Sequence, residues 1–179
     1  GWEGHGPAHY INLRHVPDML KELLRRGHDF EFVLLGSKND QQIYDLFDIP
    51  GLNKRFINEV EWSNPANIAR VIQEFDIGLM PLEDLDIEKG KCAFKAIEYM
   101  ACAVPAIVSE VGENVYLVKD GENGLVVKEW KDWPDALEKL IKDPELRERF
   151  GKAGQQTVKE YYSYEANIPR IEKVIQSLM

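Results

Sequence analysis

The sequence has few cysteines, a shortage of cations and no long apolar run. Two cysteines, Cys92 and Cys102, stand among 179 residues, which is too few for a disulfide framework or a four-cysteine zinc site. No stretch approaches the ~18 apolar residues of a membrane span, and no secretory signal pattern is present. These absences predict a cytoplasmic protein, with a peripheral membrane position left open for the full-length chain.

The charge balance is acidic, with 22 Lys and Arg against 31 Asp and Glu and a net charge of −9. Such a field repels nucleic acids, so we expect no nucleic-acid partner, although a local basic site can still hold a small anion. Hydrophobic residues make up 44% of the chain, enough for a buried core. The length fits one domain.

Helical and strand-like segments alternate along the chain. The strands are short and continuously apolar, which is typical of parallel pairing with helices on both faces of the sheet. We therefore predict a Rossmann-like, doubly wound α/β fold with additional helices at the C-terminus. Because the chain opens at Gly1 without a methionine, we expect it to be part of a longer protein. The predicted strands are 30–35, 56–62, 76–81, 106–108 and 125–127, and the main predicted helices are 12–26, 41–47, 64–75, 91–102, 134–142, 144–161 and 166–178.

In such a fold, ligands bind beyond the carboxyl ends of the strands. Three loops are predicted to lie there, at 1–9, 82–90 and 109–114, and each carries glycine. Glycine permits a backbone to approach a ligand closely. The candidate binding residues in these loops are Gly4, Gly6, Gly90, Gly112, Glu113 and Asn114.

The predicted helix 91–102 is the most informative segment. At about 100° per residue, Lys91, Lys95 and Glu98 share one narrow sector, while Phe94, Ile97 and Ala101 lie on the opposite, core-facing side. Two lysines near a helix start favour a bound phosphate, and a carboxylate further along suits the hydroxyls of a ribose. The alternative is an ordinary exposed pair of Lys95 and Glu98, worth ~0.3 kcal/mol.

The first loop carries His5 and His9 without a carboxylate or cysteine at metal-ligand spacing, so we expect no metal site. The two histidines are interpreted either as hydrogen-bonding loop residues or as part of a loop that contacts phosphate or sugar. No Ser-His-Asp or Cys-His pattern indicates nucleophilic catalysis.

Several motifs together resemble the C-terminal, donor-binding half of group 1 retaining glycosyltransferases of the GT-B fold, and the similarity covers nearly the whole chain. The tail from Asp143 to Ser163 is similar to the family's C-terminal helices, and Gly1–Gly4 to the end of its first strand. The motifs are Asp76-Ile-Gly-Leu-Met-Pro-Leu82, Gly90-Lys-Cys-Ala-Phe-Lys-Ala-Ile-Glu-Tyr-Met-Ala-Cys-Ala-Val-Pro105, Val111-Gly-Glu-Asn114 and Asp120-Gly-Glu-Asn-Gly-Leu125.

The resemblance implies that residues 1–179 form the domain that binds a nucleotide-diphosphate sugar, with an acceptor-binding N-terminal domain outside this chain. The family carries two glutamates separated by seven residues; Glu98 matches the second, the ribose clamp, and Gly90 stands in place of the first. Lys91 and Lys95 are implied to stabilise the departing diphosphate without a metal or cofactor, so that a sugar is transferred with retention to a glycan, lipid or small molecule. The isolated chain is expected to bind nucleotide without turnover.

Two other functions remain open from the sequence. Loss of the first family glutamate favours a non-catalytic nucleotide-sugar-binding protein. A phospho-receiver domain requires a phosphoacceptor aspartate at a strand end, and Asp84 and Asp86 lie instead in a predicted loop. The nucleotide base, the donor sugar, the acceptor and the oligomeric state are not specified by the sequence.

Overall fold

A computed structural model describes residues 1–178, in which six parallel strands form the centre of the fold. Strands β1-β2-β3 form one three-stranded sheet and β4-β5-β6 form another. The two meet at β1 and β4, where the Leu79 amide donates to the Gly1 carbonyl at 2.9 Å and the Gly1 amine donates to the Ile77 carbonyl at 2.7 Å. The combined order is β3-β2-β1-β4-β5-β6, a dinucleotide-binding order. The strands are β1 Trp2–Glu3, β2 Glu31–Leu35, β3 Asn53–Ile57, β4 Gly78–Met80, β5 Ala106–Ser109 and β6 Gly124–Val127.

Helices connect successive strands and extend the C-terminus. Their starts follow local chemistry: the Asn64 side chain caps the Ala66 amide before α4, and the Asp143 side chain caps the Leu146 amide before α9. Short 3₁₀ turns occupy Gly6–His9 and Trp130–Asp132. The α-helices are α1 Tyr10–Leu13, α2 Val16–Arg25, α3 Gln41–Leu46, α4 Pro65–Ile72, α5 Asp86–Lys89, α6 Phe94–Ala101, α7 Asn114–Leu117, α8 Trp133–Lys142, α9 Pro144–Tyr161 and α10 Tyr164–Ser177.

Alternate strand residues enter two different cores. Phe32, Leu34 and Ile107 join a cluster that includes side chains of α2 and α8, whereas Val33 and Leu35 join one that includes α4 and α6. Successive side chains of a strand point to opposite faces, so helices cover the sheet on both sides. The predicted doubly wound α/β fold with C-terminal helices is confirmed.

Several predicted boundaries are wrong. The helix expected at 12–26 is two helices, α1 and α2, with a turn between them at Arg14 and His15. The strand expected at 56–62 is β3, Asn53–Ile57, and the loop expected at 82–90 contains α5. Strand β3 lies at the sheet edge and is only half-buried. Its first residues are therefore polar, and the hydrophobic run begins only at Phe56.

The last helix, α10, leaves an apolar face in solvent. Several of its apolar side chains are more than half exposed. The element that it contacts most is α9. Within residues 1–178, no helix is both long and apolar enough to cross a membrane. The exposed apolar residues of this C-terminal segment are Tyr164, Ile168, Ile171, Val174, Ile175 and Leu178.

Candidate functional site

The carboxyl ends of β1 and β4 bring the first two predicted loops together. The loop after β1 carries His9 and the chain after β4 carries Lys91 and Lys95. The Lys91 Nζ lies 3.4 Å from the His9 Nδ1, and the Lys95 Nζ lies 3.3 Å from the His9 Nε2. The two predicted lysines therefore converge on one imidazole, although 82 and 86 residues separate them from it in the chain.

Burial and like charge act on these basic groups. Desolvation, together with the nearby Lys95 and Lys91, lowers the pKa of His9 to about 4. Desolvation also lowers the pKa of Lys95, an effect that Lys91 reinforces and the nearby carboxylate of Glu3 opposes. The Lys95 Nζ additionally lies 5.5 Å from the centre of the Trp2 ring. Basic groups held so close together favour a small anion locally, even within an acidic protein.

The helical position predicted for Lys91 is wrong. Helix α6 begins at Phe94, and Ala93 before it has a φ of +55°, a left-handed conformation that prevents the helix from extending further back. Lys91 lies in the connection between α5 and α6, where its Nζ is 2.5 Å from the Glu88 Oε2. Lys91 and Lys95 meet because the connection folds over His9, and not because they share a helical sector.

The face assigned to the core of this helix is also wrong. Phe94 is 60% exposed and Ala101 is exposed, whereas Ala96, Tyr99 and Met100 are buried. The true core face lies between the two predicted ones, and the buried Ala96, Tyr99 and Met100 belong to the same core as Met80 of β4 and Val108 of β5. Tyr99 fits over Gly78 in β4, where an added Cβ would lie 2.4 Å from the tyrosine ring.

Two carboxyl groups form a second, adjacent cluster. Glu98 lies within hydrogen-bonding reach of Glu3, which is only 4% exposed and has an Oε1 without a partner. Desolvation, together with the neighbouring Glu3, raises the pKa of Glu98 to about 8. Desolvation likewise raises the pKa of Glu3, partly opposed by Lys95. Each carboxyl disfavours ionisation of the other, because two negative charges so close together in a buried site repel.

The glycines of the first two loops make room for other groups. The Gly4 amide donates to the Leu35 carbonyl at 3.0 Å and the Gly6 amide to the Gly36 carbonyl at 2.8 Å, so both amides already have acceptors. The Gly90 amide donates to the Asp86 carbonyl at 3.3 Å. These three backbone amides are therefore not available to a ligand in this conformation. At Gly4, an added Cβ would lie 2.8 Å from the Lys95 Cε, so glycine leaves the space through which Lys95 passes.

The third predicted loop abuts the second. Gly112 has a φ of +56°, and an added Cβ would lie 2.6 Å from the Lys89 carbonyl oxygen. A shallow depression of about 360 Å³ lies between them and includes Gly90, Lys91 and Glu113. Glu113 accepts from the Tyr162 hydroxyl at 3.4 Å. The Asn114 side chain is buried and donates to the Ser109 carbonyl at 3.0 Å, so it stabilises the loop from within.

Another cavity, of about 350 Å³, lies near the amino ends of β2 and β4. Its lining is largely aromatic and aliphatic, with Phe30, Phe32 and Phe75 among its residues, and it includes none of the predicted site residues. In a doubly wound fold the ligand cleft lies at the other edge of the sheet. The candidate site is therefore the carboxyl edge.

Three residues of the site were undervalued or missed in the sequence. His9 carries no motif at metal spacing, Glu3 stands in a two-residue strand, and Glu88 lies in a segment interpreted as a loop. An available signal was the acidic Glu3 between Trp2 and Gly4 at a strand end, because a buried charge there needs a function or a partner. Glu88 is 4% exposed and lies two residues before Gly90.

The family model of the group 1 glycosyl transferases matches residues 8–157. The chain belongs to the group 1 glycosyltransferases. It is 34% identical over 164 residues to an uncharacterised glycosyltransferase of Methanocaldococcus jannaschii, covering 84% of this chain and 41% of that protein. The chain spans 33 to 42% of the length of the first three curated relatives it matches.

Solved glycosyltransferase structures share the fold. The C-terminal domain of the group 1 glycosyl transferase LpcC from Francisella tularensis superposes with a TM-score of 0.66 at 20% identity, covering 92% of this chain and 84% of that one. Anabaena HepE, solved in complex with UDP and glucose, superposes with a TM-score of 0.66 at 16% identity, covering 89% of this chain and 44% of HepE. The chain thus has the fold of GT-B C-terminal domains, as the sequence motifs predicted.

Proposed function

We propose that this chain is the donor-binding domain of a retaining glycosyltransferase and that it binds a nucleotide-diphosphate sugar at the carboxyl edge of its sheet. The observation that carries the proposal is the convergence of Lys91 and Lys95 on His9, beside the Glu3–Glu98 carboxyl pair. Partly buried lysines without a full set of anionic partners attract a phosphate strongly, since charge-assisted hydrogen bonds exceed neutral ones. The neighbouring carboxyls supply acceptors for hydroxyl groups.

Lys91 and Lys95 would stabilise the diphosphate as it leaves. When the bond between the anomeric carbon and the phosphate oxygen breaks, its electron pair moves to that oxygen, and the two ammonium groups offset the growing charge. Glu88, 2.5 Å from Lys91, fixes this lysine in the absence of a ligand. Cationic side chains can perform this role without a metal, so we propose that the reaction needs neither metal nor cofactor.

Glu98 would bind the nucleotide ribose. A carboxylate that accepts hydrogen bonds from two vicinal hydroxyls is the ribose clamp of dinucleotide folds. Glu98 is half-buried in the middle of α6, one turn beyond Lys95, so a ligand whose phosphate meets Lys95 brings its ribose to Glu98. The buried Glu3 beneath it restricts the orientation of the carboxyl.

The donor sugar would lie toward the depression formed by Gly90, Lys91 and Glu113. Gly112 allows the third loop to approach Lys89, which brings Glu113 beside the diphosphate site. Glu113 is half-buried and its carboxylate can accept from sugar hydroxyls. Asn114, buried below, holds this loop in place.

The acceptor would be bound by a second, N-terminal domain. The curated relatives are more than twice as long as the matched segment, and α10 exposes an apolar face that a neighbouring domain can cover. The acceptor classes compatible with this arrangement are a glycan, a lipid or a small molecule. By itself, the chain would bind donor without transferring sugar. The UDP complex of the similarly folded HepE supports a nucleotide ligand.

Calorimetric titration of the chain with UDP, GDP and ADP tests the binding site and selects the base. We expect Lys91→Ala and Glu98→Ala to weaken binding about tenfold or more, because each loses a hydrogen bond to a charged group. Circular dichroism should remain unchanged. Lys142→Ala is the matched control, since Lys142 pairs with Glu138 on α8, away from the site. Unchanged affinity in both site variants would overturn the assignment.

The full-length protein distinguishes an enzyme from a non-catalytic binding protein. Incubation with the selected nucleotide sugar and candidate acceptors should release the nucleoside diphosphate and give a product with the donor's anomeric configuration, observable by NMR. Binding without consumption of donor would favour the non-catalytic alternative, for which the replacement of the first family glutamate by Gly90 is the supporting observation.

A further inference from the structure

His9 lies at the centre of the basic cluster, and its contacts cannot all be hydrogen bonds. A neutral imidazole has one N–H donor and one lone pair. Both of its ring nitrogens face a lysine Nζ, at 3.4 Å for Lys91 and 3.3 Å for Lys95. One lysine can donate to the lone pair, but the other then faces an N–H group. One of the two contacts therefore places donor against donor when both lysines are charged.

The surroundings of His9 do not remove this conflict. Lys91 approaches from the connection after α5 and Lys95 from α6, while Glu88 of α5 offers its carboxylate to Lys91. His5, in the same loop, adds a weak like-charge effect, and the Trp2 ring of β1 packs edge-on with its centre 5.7 Å from that of His9. Burial and the two lysines lower the pKa of His9 to about 4. Without a ligand, His9 is therefore neutral at pH 7.

An anion with several oxygens resolves the conflict. Oxygens placed among the three groups can accept from both ammonium groups and from the imidazole, so every contact becomes favourable. A phosphate beside the ring also favours the charged imidazolium, since an opposite charge at this distance stabilises it. A diphosphate carries enough negative charge for all three groups.

We propose that His9 is a third ligand of the diphosphate and that it binds in the imidazolium form, between Lys91 and Lys95. This inference rests on the proposed function and deepens it. The imidazole takes one proton from solvent as the diphosphate binds, and its N–H donates to a phosphate oxygen. No covalent bond to His9 forms, and the proton stays on the ring when the anomeric carbon–oxygen bond breaks. His9 thus touches the leaving group and adds a third positive charge to it.

NMR of the histidine ring protons tests the protonation change directly. The chain has four histidines, and loss of one signal in His9→Gln assigns His9. In the free chain, the His9 shift should remain that of a neutral imidazole from pH 5.5 to 8. With saturating UDP at pH 7 it should move to that of an imidazolium. Inorganic pyrophosphate, which has no ribose or base, should produce the same change.

Binding measurements supply a second, independent readout. His9→Gln should weaken UDP binding about tenfold at pH 7, because glutamine can donate to a phosphate but carries no charge. His28→Gln is the matched control; His28 contacts Glu138 of α8 at 3.0 Å, outside the site, so its replacement should leave affinity and the His9 shift unchanged.

The outcomes separate the two proposals. If UDP saturates the chain by calorimetry while the His9 signal stays neutral, this inference is wrong and the proposed function stands. If UDP, GDP, ADP and pyrophosphate all fail to bind, both are wrong. If His9→Gln does not fold, the NMR result on the unsubstituted chain, with His9 assigned from its proximity to Trp2, still decides.

Discussion

The molecule contains two clusters of charged side chains that obey opposite rules. On the surface between α2 and α8, Arg26 contacts three carboxylates, those of Glu22 at 2.9 Å, Asp135 at 2.7 Å and Glu138 at 2.6 Å. At the carboxyl edge of the sheet, like groups face each other instead: lysines around His9, and Glu3 beside Glu98. Each charged group of the first cluster faces an opposite charge, whereas in the second the ion pair of Lys91 with Glu88 leaves Lys95 facing His9 and Glu3 facing Glu98.

The pKa values move in opposite directions in the two clusters. Hydrogen bonds from Arg25 and Arg26 lower the pKa of Glu22 to about 2, and those from Lys142, Arg26 and His28 lower that of Glu138 to about 2. Burial instead raises the pKa of Glu98 to about 8 and lowers that of His9 to about 4, so both move toward neutrality. Ion pairing in the surface network favours the charged forms, whereas burial at the carboxyl edge favours the neutral forms, and such perturbed pKa values are common at functional sites.

The largest expected contrast between the regions concerns two glycines with positive φ. At Gly36, below the site, an added Cβ would lie 1.8 Å from the Gly4 carbonyl oxygen; at Gly27, after α2, it would meet nothing within 4 Å. We expect Gly36→Ala to lower the free energy of unfolding by more than about 3 kcal/mol and Gly27→Ala by about 1 kcal/mol, the cost of the backbone conformation alone. Urea unfolding measures both, and equal losses would contradict the close approach.

The next contrast is in pH dependence. The folded-state pKa of Glu98 is raised from 4.5 to about 8, so its favourable contribution to stability is complete below about pH 4.5 and is lost as the pH rises through 8. Glu98→Gln cannot lose a proton, so its stability relative to the unsubstituted chain should increase from pH 5 to 8. Unfolding curves at several pH values test this. If the difference in stability between Glu98→Gln and the unsubstituted chain does not change with pH, Glu98 is ionised and solvated in the folded state.

The loss of stability at acidic pH is expected to arise from the surface cluster around Arg26. Glu22 and Glu138 have folded-state pKa values lowered from 4.5 to about 2, so their contribution is present above about pH 4.5 and is lost as the pH falls through 2. We expect Glu138→Gln to reduce this acid-side loss of stability while leaving the slope between pH 5 and 8 as it is. Thermal unfolding from pH 2 to 8 measures both parts of the pH dependence. A changed slope between pH 5 and 8 in Glu138→Gln, with the acid-side loss unaltered, would contradict the assignment.

The smallest effect is expected from Arg26→Ala. Ion pairs near a protein surface contribute little and are screened by salt, so Tm should fall slightly at low ionic strength and hardly at all in 1 M NaCl. Nucleotide affinity should not change, because Arg26 lies on the α2–α8 surface. A fall in Tm that does not depend on salt would mean that Arg26 stabilises the fold through packing of its aliphatic side-chain carbons and not through its charge.

The fold was largely predictable because its signals are local. Apolar runs at 30–35 and 106–108 coincide with β2 and β5, and Asn64-Pro65 marks the observed start of α4. The predicted position of the half-buried edge strand β3 was three residues too late, because the polar residues at its start give no sequence signal for pairing with β2. The start of α6 was also missed, because the left-handed Ala93 has no signal in a residue that usually favours helix.

The site was predictable only in part. Lys91, Lys95 and Glu98 emerge from spacing and family resemblance, but the helical argument that joined Lys91 to Lys95 does not hold. What brings them together is His9, more than 80 residues away in sequence. The role of Glu3 likewise depends on Glu98, its neighbour on α6. Contacts between distant loops arise from sheet order, which no local pattern encodes.

The central claim, that Lys91 and Lys95 form a diphosphate site, is tested most directly by calorimetry on Lys95→Ala. UDP, GDP and ADP are titrated into the unsubstituted chain, and the nucleotide that binds is then titrated into the variant. We predict a loss of affinity of about ten- to hundredfold with an unchanged circular dichroism spectrum, since a charged hydrogen-bond donor is removed. Equal affinity in the variant, or no binding of any of the three nucleotides, would contradict the claim.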